Sequence, residues 1–163
     1  EAVTIAKTVT LTGTGSPTTT SFTLNAGAVV TGSTGITAAT VNINDTGVLI
    51  EDGILLSSSA VAVAAGTYAQ NVTVDKDLTI SGSGSPTVTK FILTTDVTNI
   101  TGFTVSAIDV SGSGLIQDAV DFINTSGTVT VASGSAIVTD TPRNALATRI
   151  LASVSASERR LKS

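Results

Sequence analysis

Residues 61–88, VAVAAGTYAQNVTVDKDLTISGSGSPTV, hold three short runs, Val61–Val63, Val72–Val74 and Leu78–Ile80, in which apolar residues alternate with Ala or polar ones. Alternation at period two marks a strand with one buried face. The runs are separated by Gly66, by the Asp75-Lys76-Asp77 corner and by Gly82-Ser83-Gly84-Ser85-Pro86, with no helix and no hairpin dipeptide between them. Strands this short, turning a corner every few residues, predict a solenoid.

Much of this stretch occurs twice. Val3–Pro17 reads VTIAKTVTLTGTGSP and Val72–Pro86 reads VTVDKDLTISGSGSP, an offset of about 69 residues that aligns Lys7 with Lys76, Gly13 with Gly82, Gly15 with Gly84 and Pro17 with Pro86. Phe22-Thr23-Leu24 then matches Phe91-Ile92-Leu93. Ile50-Glu51-Asp52-Gly53-Ile54 matches Ile116-Gln117-Asp118-Ala119-Val120, and the strand at Val61 matches that at Val129. A repeat this long exceeds one solenoid coil, so each copy should hold several. The expected organisation is a first module over 1–69, a second over 70–138 and a basic helical tail over 139–163.

Gly66-Thr67-Tyr68, Val72-Thr73-Val74, Leu78-Thr79-Ile80 and Gly82-Ser83-Gly84, with the helical pattern Ile116-Gln117-Asp118-Ala119-Val120-Asp121, resemble the opening of right-handed parallel β-helix proteins of the pectate-lyase-like and pectin-methylesterase-like families. The resemblance covers about residues 1–135, twice over. It implies an all-β fold: a right-handed parallel β-helix of about six coils with short helical excursions and a C-terminal helix. The matched positions are scaffold positions and carry no activity. Lyases of this fold use clustered acids with Ca²⁺ and a nearby Arg or Lys, and the methylesterases use two Asp with Arg and Gln; no Arg precedes Arg143 here.

Phe22 and Phe91 should point inward and could stack if their coils lie in register. Val48–Leu56 and Leu115–Ile123 carry mixed apolar spacing. Ile116, Val120 and Ile123 support a short helix, while Gly53 weakens the same reading in the first copy. Thr141-Pro142 reads as a helix start, followed by an apolar stripe of Leu146, Ile150, Leu151 and Val154.

The chain of 163 residues has no His and no Cys. That removes Ser-His triads, thiol nucleophiles, disulfides and thiolate or imidazole metal sites. The carboxylate pairs that remain are Asp75/Asp77, Glu51/Asp52 and Asp118/Asp121. Asp75-Lys76-Asp77 aligns with Ala6-Lys7-Thr8, so turn chemistry explains it best. No catalytic residue, cofactor or metal is expected, and the chain is read as not an enzyme. The two Gly-x-Gly segments are not nucleotide loops, since no helix follows either one. Nucleic acid is an unsuitable partner for a body with three Lys against eleven acids up to Pro142, a balance of −8. From Arg143 onward the balance is +4, with every Arg of the chain in the tail. No apolar run is long enough to span a membrane. Without an initiating Met, Glu1 reads as a processed start or a cut end, with any signal peptide gone. Four segments beginning at Asn44, Asn71, Asn99 and Asn124 match the glycosylation pattern, as a chain so rich in Ser and Thr does by chance.

The strand at 129–131 lacks a successor in the repeat and the strand at 3–5 lacks a predecessor. The expectation is head-to-tail self-assembly through Val3, Ile5, Val129 and Val131, with Leu146, Arg149, Ile150, Arg159 and Arg160 of the tail bridging the joint. The leading function is a structural extracellular or cell-surface solenoid, a filament subunit or part of an adhesin stalk. The alternatives are a β-helix that binds or degrades a surface polysaccharide and, third, an ice-binding solenoid suggested by the Thr-x-Thr pairs of Thr8–Thr14.

Overall fold

A computed structural model describes residues 1–97, 99–123 and 126–132. The chain runs through β1 (Ala2–Ile5), β2 (Thr8–Thr12), β3 (Thr18–Leu24), β4 (Val29–Thr34), β5 (Thr37–Ile43), α1 (Ile50–Leu56), β6 (Ser57–Val63), β7 (Thr67–Val74), β8 (Thr79–Gly82), β9 (Thr87–Leu93), β10 (Asn99–Thr101), β11 (Ala107–Val110), α2 (Ile116–Phe122) and β12 (Thr128–Val131). The expected C-terminal helix and its residues Leu146, Arg149, Ile150, Arg159 and Arg160 lie outside the described residues.

All strand pairs among the described residues are parallel. Sheet A has the order β1-β3-β5-β6-β8-β10, sheet B is β2-β4, and sheet C is β7-β9-β11-β12. In sheet A, Ala2 faces Ser21, Ser21 faces Thr40, Thr40 faces Ala60, Ala60 faces Thr79 and Thr79 faces Asn99. The chain therefore returns to the same sheet every 19 or 20 residues, visiting another sheet or a helix in between. Stacked parallel sheets linked in this way are compatible with a β-solenoid. Strand after strand sends its apolar positions to one side: Phe22 and Leu24, Val41 and Ile43, Val61 and Val63, Val72 and Val74, Phe91 and Leu93 are all buried in one continuous core.

The corners follow from local chemistry. In Gly13-Thr14-Gly15-Ser16-Pro17 and its counterpart Gly82–Pro86, a Gly and the following Ser both take positive φ: Gly15 77° and Ser16 53°, Gly84 71° and Ser85 56°. Two left-handed residues in succession turn the chain sharply, and Gly supplies the first without penalty. The leading Gly of each corner lies so close to the proline ring that an added Cβ would stand 2.6 Å from it.

The two Phe residues do not stack. Phe22 lies in sheet A between Val3 and Val41, and Phe91 in sheet C between Val72 and Ile108. Phe91 instead meets Phe103 edge-to-face, with centroids 5.3 Å apart and planes at 84°. The offset of about 69 residues corresponds to about three and a half returns of 19 or 20, so aligned strands of the two copies fall in different sheets. Aligned with β1 and β3 of sheet A are β7 and β9 of sheet C, and aligned with β2 and β4 of sheet B are β8 and β10 of sheet A.

Candidate functional site: two helix seams and a charge-free face

Each copy breaks its strand pattern once, with a seven-residue helix. Neither helix has a side-chain N-cap, and both begin and end in extended backbone. A helix this short would not persist alone; side chains from neighbouring strands hold it. Around α1 the polar contacts are complete. The Val30 N–H of β4 donates to Asp52 Oδ2 at 2.9 Å, and the Thr73 N–H of β7 donates to Glu51 Oε1 at 2.7 Å. Gln70 accepts from the Ile50 N–H at 2.9 Å and donates to the Val48 carbonyl at 2.8 Å. Lys76 Nζ donates to the carbonyls of Ile54, Leu55 and Ser57 at 2.8, 3.0 and 3.4 Å. A cation at a helix C-terminus answers both the orphan carbonyls and the helix dipole. Helix α1 thus spans the gap between β4 of sheet B and β7 of sheet C, its carboxylates standing in for the missing strand. A hollow of about 300 Å³ opens beside it, lined by Glu51, Ile54, Leu55, Thr73, Asp75 and Lys76.

The seam recurs in the second copy, where the Val97 N–H donates to Asp118 Oδ2 at 3.2 Å. Gln117 stands where Glu51 does and donates to Asp121 Oδ1 at 2.8 Å. The alignment pairing Asp52 with Asp118 therefore pairs two carboxylates that perform the same backbone task. Asp52 is buried, and burial raises its pKa above the ordinary 3.8; the Val30 N–H opposes the rise and neighbouring Glu51 adds to it.

Of the carboxylate pairs singled out in the sequence, Glu51 and Asp52 face opposite ways onto different strands. Asp118 joins Val97 while Asp121 joins Gln117, and Asp75 and Asp77 are exposed at their corner. Among the described residues no three acids gather to hold a metal ion. The roles of Gln70 and Lys76 were not read from the sequence. The signal was there for Lys76, because Lys7 and Lys76 align, but its target lies 19–22 residues upstream, one return of the chain earlier.

The outer side of sheet A is different in kind. Two rows run across its six strands: Ala2, Ser21, Thr40, Ala60, Thr79 and Asn99, and beside them Thr4, Thr23, Asn42, Ala62, Ser81 and Thr101. Not one of these is charged or large. The outer side of sheet C carries Lys90 and Asp109, paired at 2.5 Å. On β2, Thr8, Thr10 and Thr12 are exposed, but they face Val29, Gly32 and Thr34 on β4, and the row stops at α1.

Among the described residues the two ends expose apolar positions. Val61 and Val63 are 0% and 1% exposed, whereas their aligned partners are less covered, Val129 half-buried and Val131 39% exposed. Val72 is fully buried and Val3 half-buried, whereas Ile5, also expected at the joint, is buried like its counterpart Val74; Leu78 and Ile80 are buried, and Val9 and Leu11 half-buried. No helix among the described residues is long and apolar enough to cross a membrane. No family model, curated protein or solved structure matches the chain.

Proposed function

We propose that the chain is a structural protein, a right-handed parallel β-solenoid of about seven coils, one more than the sequence implied, that assembles end to end at a cell surface or outside the cell. Right-handed winding is what parallel strands joined by crossovers adopt almost without exception. The observation that carries the assembly reading is the contrast in burial between aligned residues. Val61, Val63, Val72, Leu78 and Ile80 are sealed where the two copies meet, and their counterparts Val129, Val131, Val3, Val9 and Leu11 at the ends are partly open. Full burial of such a side chain contributes about 1.5–3 kcal/mol, and an open sheet edge presents unpaired N–H and C=O groups to any complementary strand. Sedimentation velocity and electron microscopy across a concentration series test this. Rods that lengthen with concentration are expected; compact monomers at every concentration would refute it.

The second reading is binding to a surface polysaccharide. It is favoured by the outer rows of sheet A, whose hydroxyls and amides offer hydrogen bonds with no charge to repel or select. Co-sedimentation with an insoluble neutral polysaccharide should retain the protein, and Thr40→Lys, placed mid-face, should release it. Equal retention of both would remove this face from consideration.

A further inference from the structure

We propose that one chain docks on a second copy of itself by repeating, between chains, the contact that already joins its two halves. This rests on the end-to-end reading above and fixes its register and its polar anchor. Inside the chain, β6 is followed in sheet A by β8, with Ala60 opposite Thr79 and Ala62 opposite Ser81. At the same joint, β7 lies against α1 and Lys76 caps that helix from the next turn of the chain.

Much of that joint has an aligned counterpart at an edge of the described residues; Thr67–Ala69 of β7 have none, and Glu51 and Gln70 are replaced by Gln117 and Glu1. Strand β12 carries Thr128 and Thr130 where β6 carries Ala60 and Ala62, and β2 carries Thr10 and Thr12 where β8 carries Thr79 and Ser81. Helix α2 stands for α1, and Lys7 stands for Lys76. Within its own chain Lys7 is an exposed side chain at the corner between β1 and β2, beside no helix. Transferred between chains, the joint pairs β2 of the second copy in parallel with β12, Thr10 opposite Thr128 and Thr12 opposite Thr130. Strand β1 of the second copy then covers α2, and its Lys7 ammonium donates to the carbonyls of Val120, Asp121 and Ile123.

One of the changes between α1 and α2 favours the intermolecular version. Leu55 in α1 becomes Asp121 in α2, a carboxylate held by Gln117 Nε2 that adds negative charge to the last turn, where the incoming ammonium docks. A charge-assisted hydrogen bond is stronger than a neutral one. The contact is heterologous, one end against the other, so it propagates as a fibre, and its backbone pairing is strand addition.

The chain has no Cys, so engineered pairs report the register cleanly. Thr12→Cys and Thr130→Cys, made separately in the full chain and mixed, should form a disulfide-linked dimer on mild oxidation, since facing residues on neighbouring strands lie within disulfide reach. Thr23→Cys, on the outer side of sheet A, mixed with Thr130→Cys should not. Lys7→Met should raise the concentration needed for assembly about tenfold and leave the monomer's Tm unchanged, whereas Lys76→Met should lower that Tm. Fibres that form without the 12–130 link, or that ignore Lys7→Met, would overturn this joint and leave end-to-end assembly standing. A chain that neither cross-links nor sediments as more than a monomer would overturn both.

Discussion

Asp52 and Asp118 show how a carboxylate in a short helix can serve the backbone. Each is the third residue of its helix, nine-tenths buried, and accepts an N–H from the preceding turn of the chain, from Val30 in β4 or from Val97 just before β10. Removing such an acceptor leaves a buried N–H unsatisfied, at a cost of about 1–3 kcal/mol, so Asp52→Ala should lower stability by that order. The pH dependence has a definite sign. Because burial raises the Asp52 pKa above 3.8, the folded state takes up that proton before the unfolded chain does as pH falls. Stability from this group then rises as pH drops through the folded value and stops rising below the unfolded one. Thermal melts of wild type and Asp52→Asn between pH 7 and 3 check this. The Tm difference should move in favour of wild type on acidification, and a constant difference would contradict it. Gly102 supplies a purely steric test. It has φ of 74°, and a Cβ there would stand 2.2 Å from the Gly82 carbonyl oxygen. Its counterpart Gly35, with φ of 66°, meets Gly13 in the same way at 2.6 Å. Gly102→Ala combines left-handed strain with a backbone clash and should cost about 2 kcal/mol or more, seen as a lower urea midpoint.

At the scale of elements, α1 forms despite Gly53 because the packing needs a residue without a side chain there. A Cβ at Gly53 would approach Ile43 Cδ1 to 2.9 Å and Val61 Cγ1 to 3.1 Å. Propensity, worth about 1 kcal/mol per Gly, yields to the burial of Ile50, Ile54 and Leu56. Capping of α1 by Lys76 supplies the remaining hold on the helix C-terminus. Lys76→Met keeps the aliphatic stem and removes the ammonium, so three carbonyls lose their donor. The expected loss is about 1–3 kcal/mol, read from the denaturation midpoint, with hydrogen exchange accelerating at α1 ahead of sheet A. Unchanged exchange at α1 would remove Lys76 from this role. The strands were legible in the sequence because alternation at Val61–Val63, Val72–Val74 and Leu78–Ile80 is a property of single strands. Their partners were not. Period two states which way a side chain points and is silent about which strand lies 4.8 Å away. So alignment could not show that Phe22 and Phe91, both buried, occupy different sheets. The seams were half legible: the spacing of Ile116, Val120 and Ile123 marked α2 while Gly53 obscured α1, and nothing local tied Lys76 to carbonyls of the previous turn.

For the whole molecule, the exchange of sheets between copies sets a dimension. One side stacks β1, β3, β5, β6, β8 and β10 and then α2; the other stacks β2, β4, α1, β7, β9, β11 and β12. On the proposed solenoid, the described residues give each side seven levels, six strands and one helix, with the helices placed at different heights. A single copy of the repeat ends on the side opposite the one it began on, whereas two copies restore the starting side. A second chain added through the proposed joint would continue each stack in phase, β2 following β12 and β1 following α2, without a half-turn between chains. Parallel strands repeat at about 4.8 Å, so each chain should advance the fibre by about 34 Å. Fibre diffraction or image power spectra should then show a strong meridional reflection at about 4.8 Å together with a spacing of about 34 Å, the latter arising because a helix replaces a strand once per chain on each side. A spacing near half that value would mean that single repeats, related by a half-turn, are the equivalent units. Meridional order at 4.8 Å with no longer spacing would mean that chains join without a fixed register, and the seam between α2 and Lys7 could not then be what aligns them.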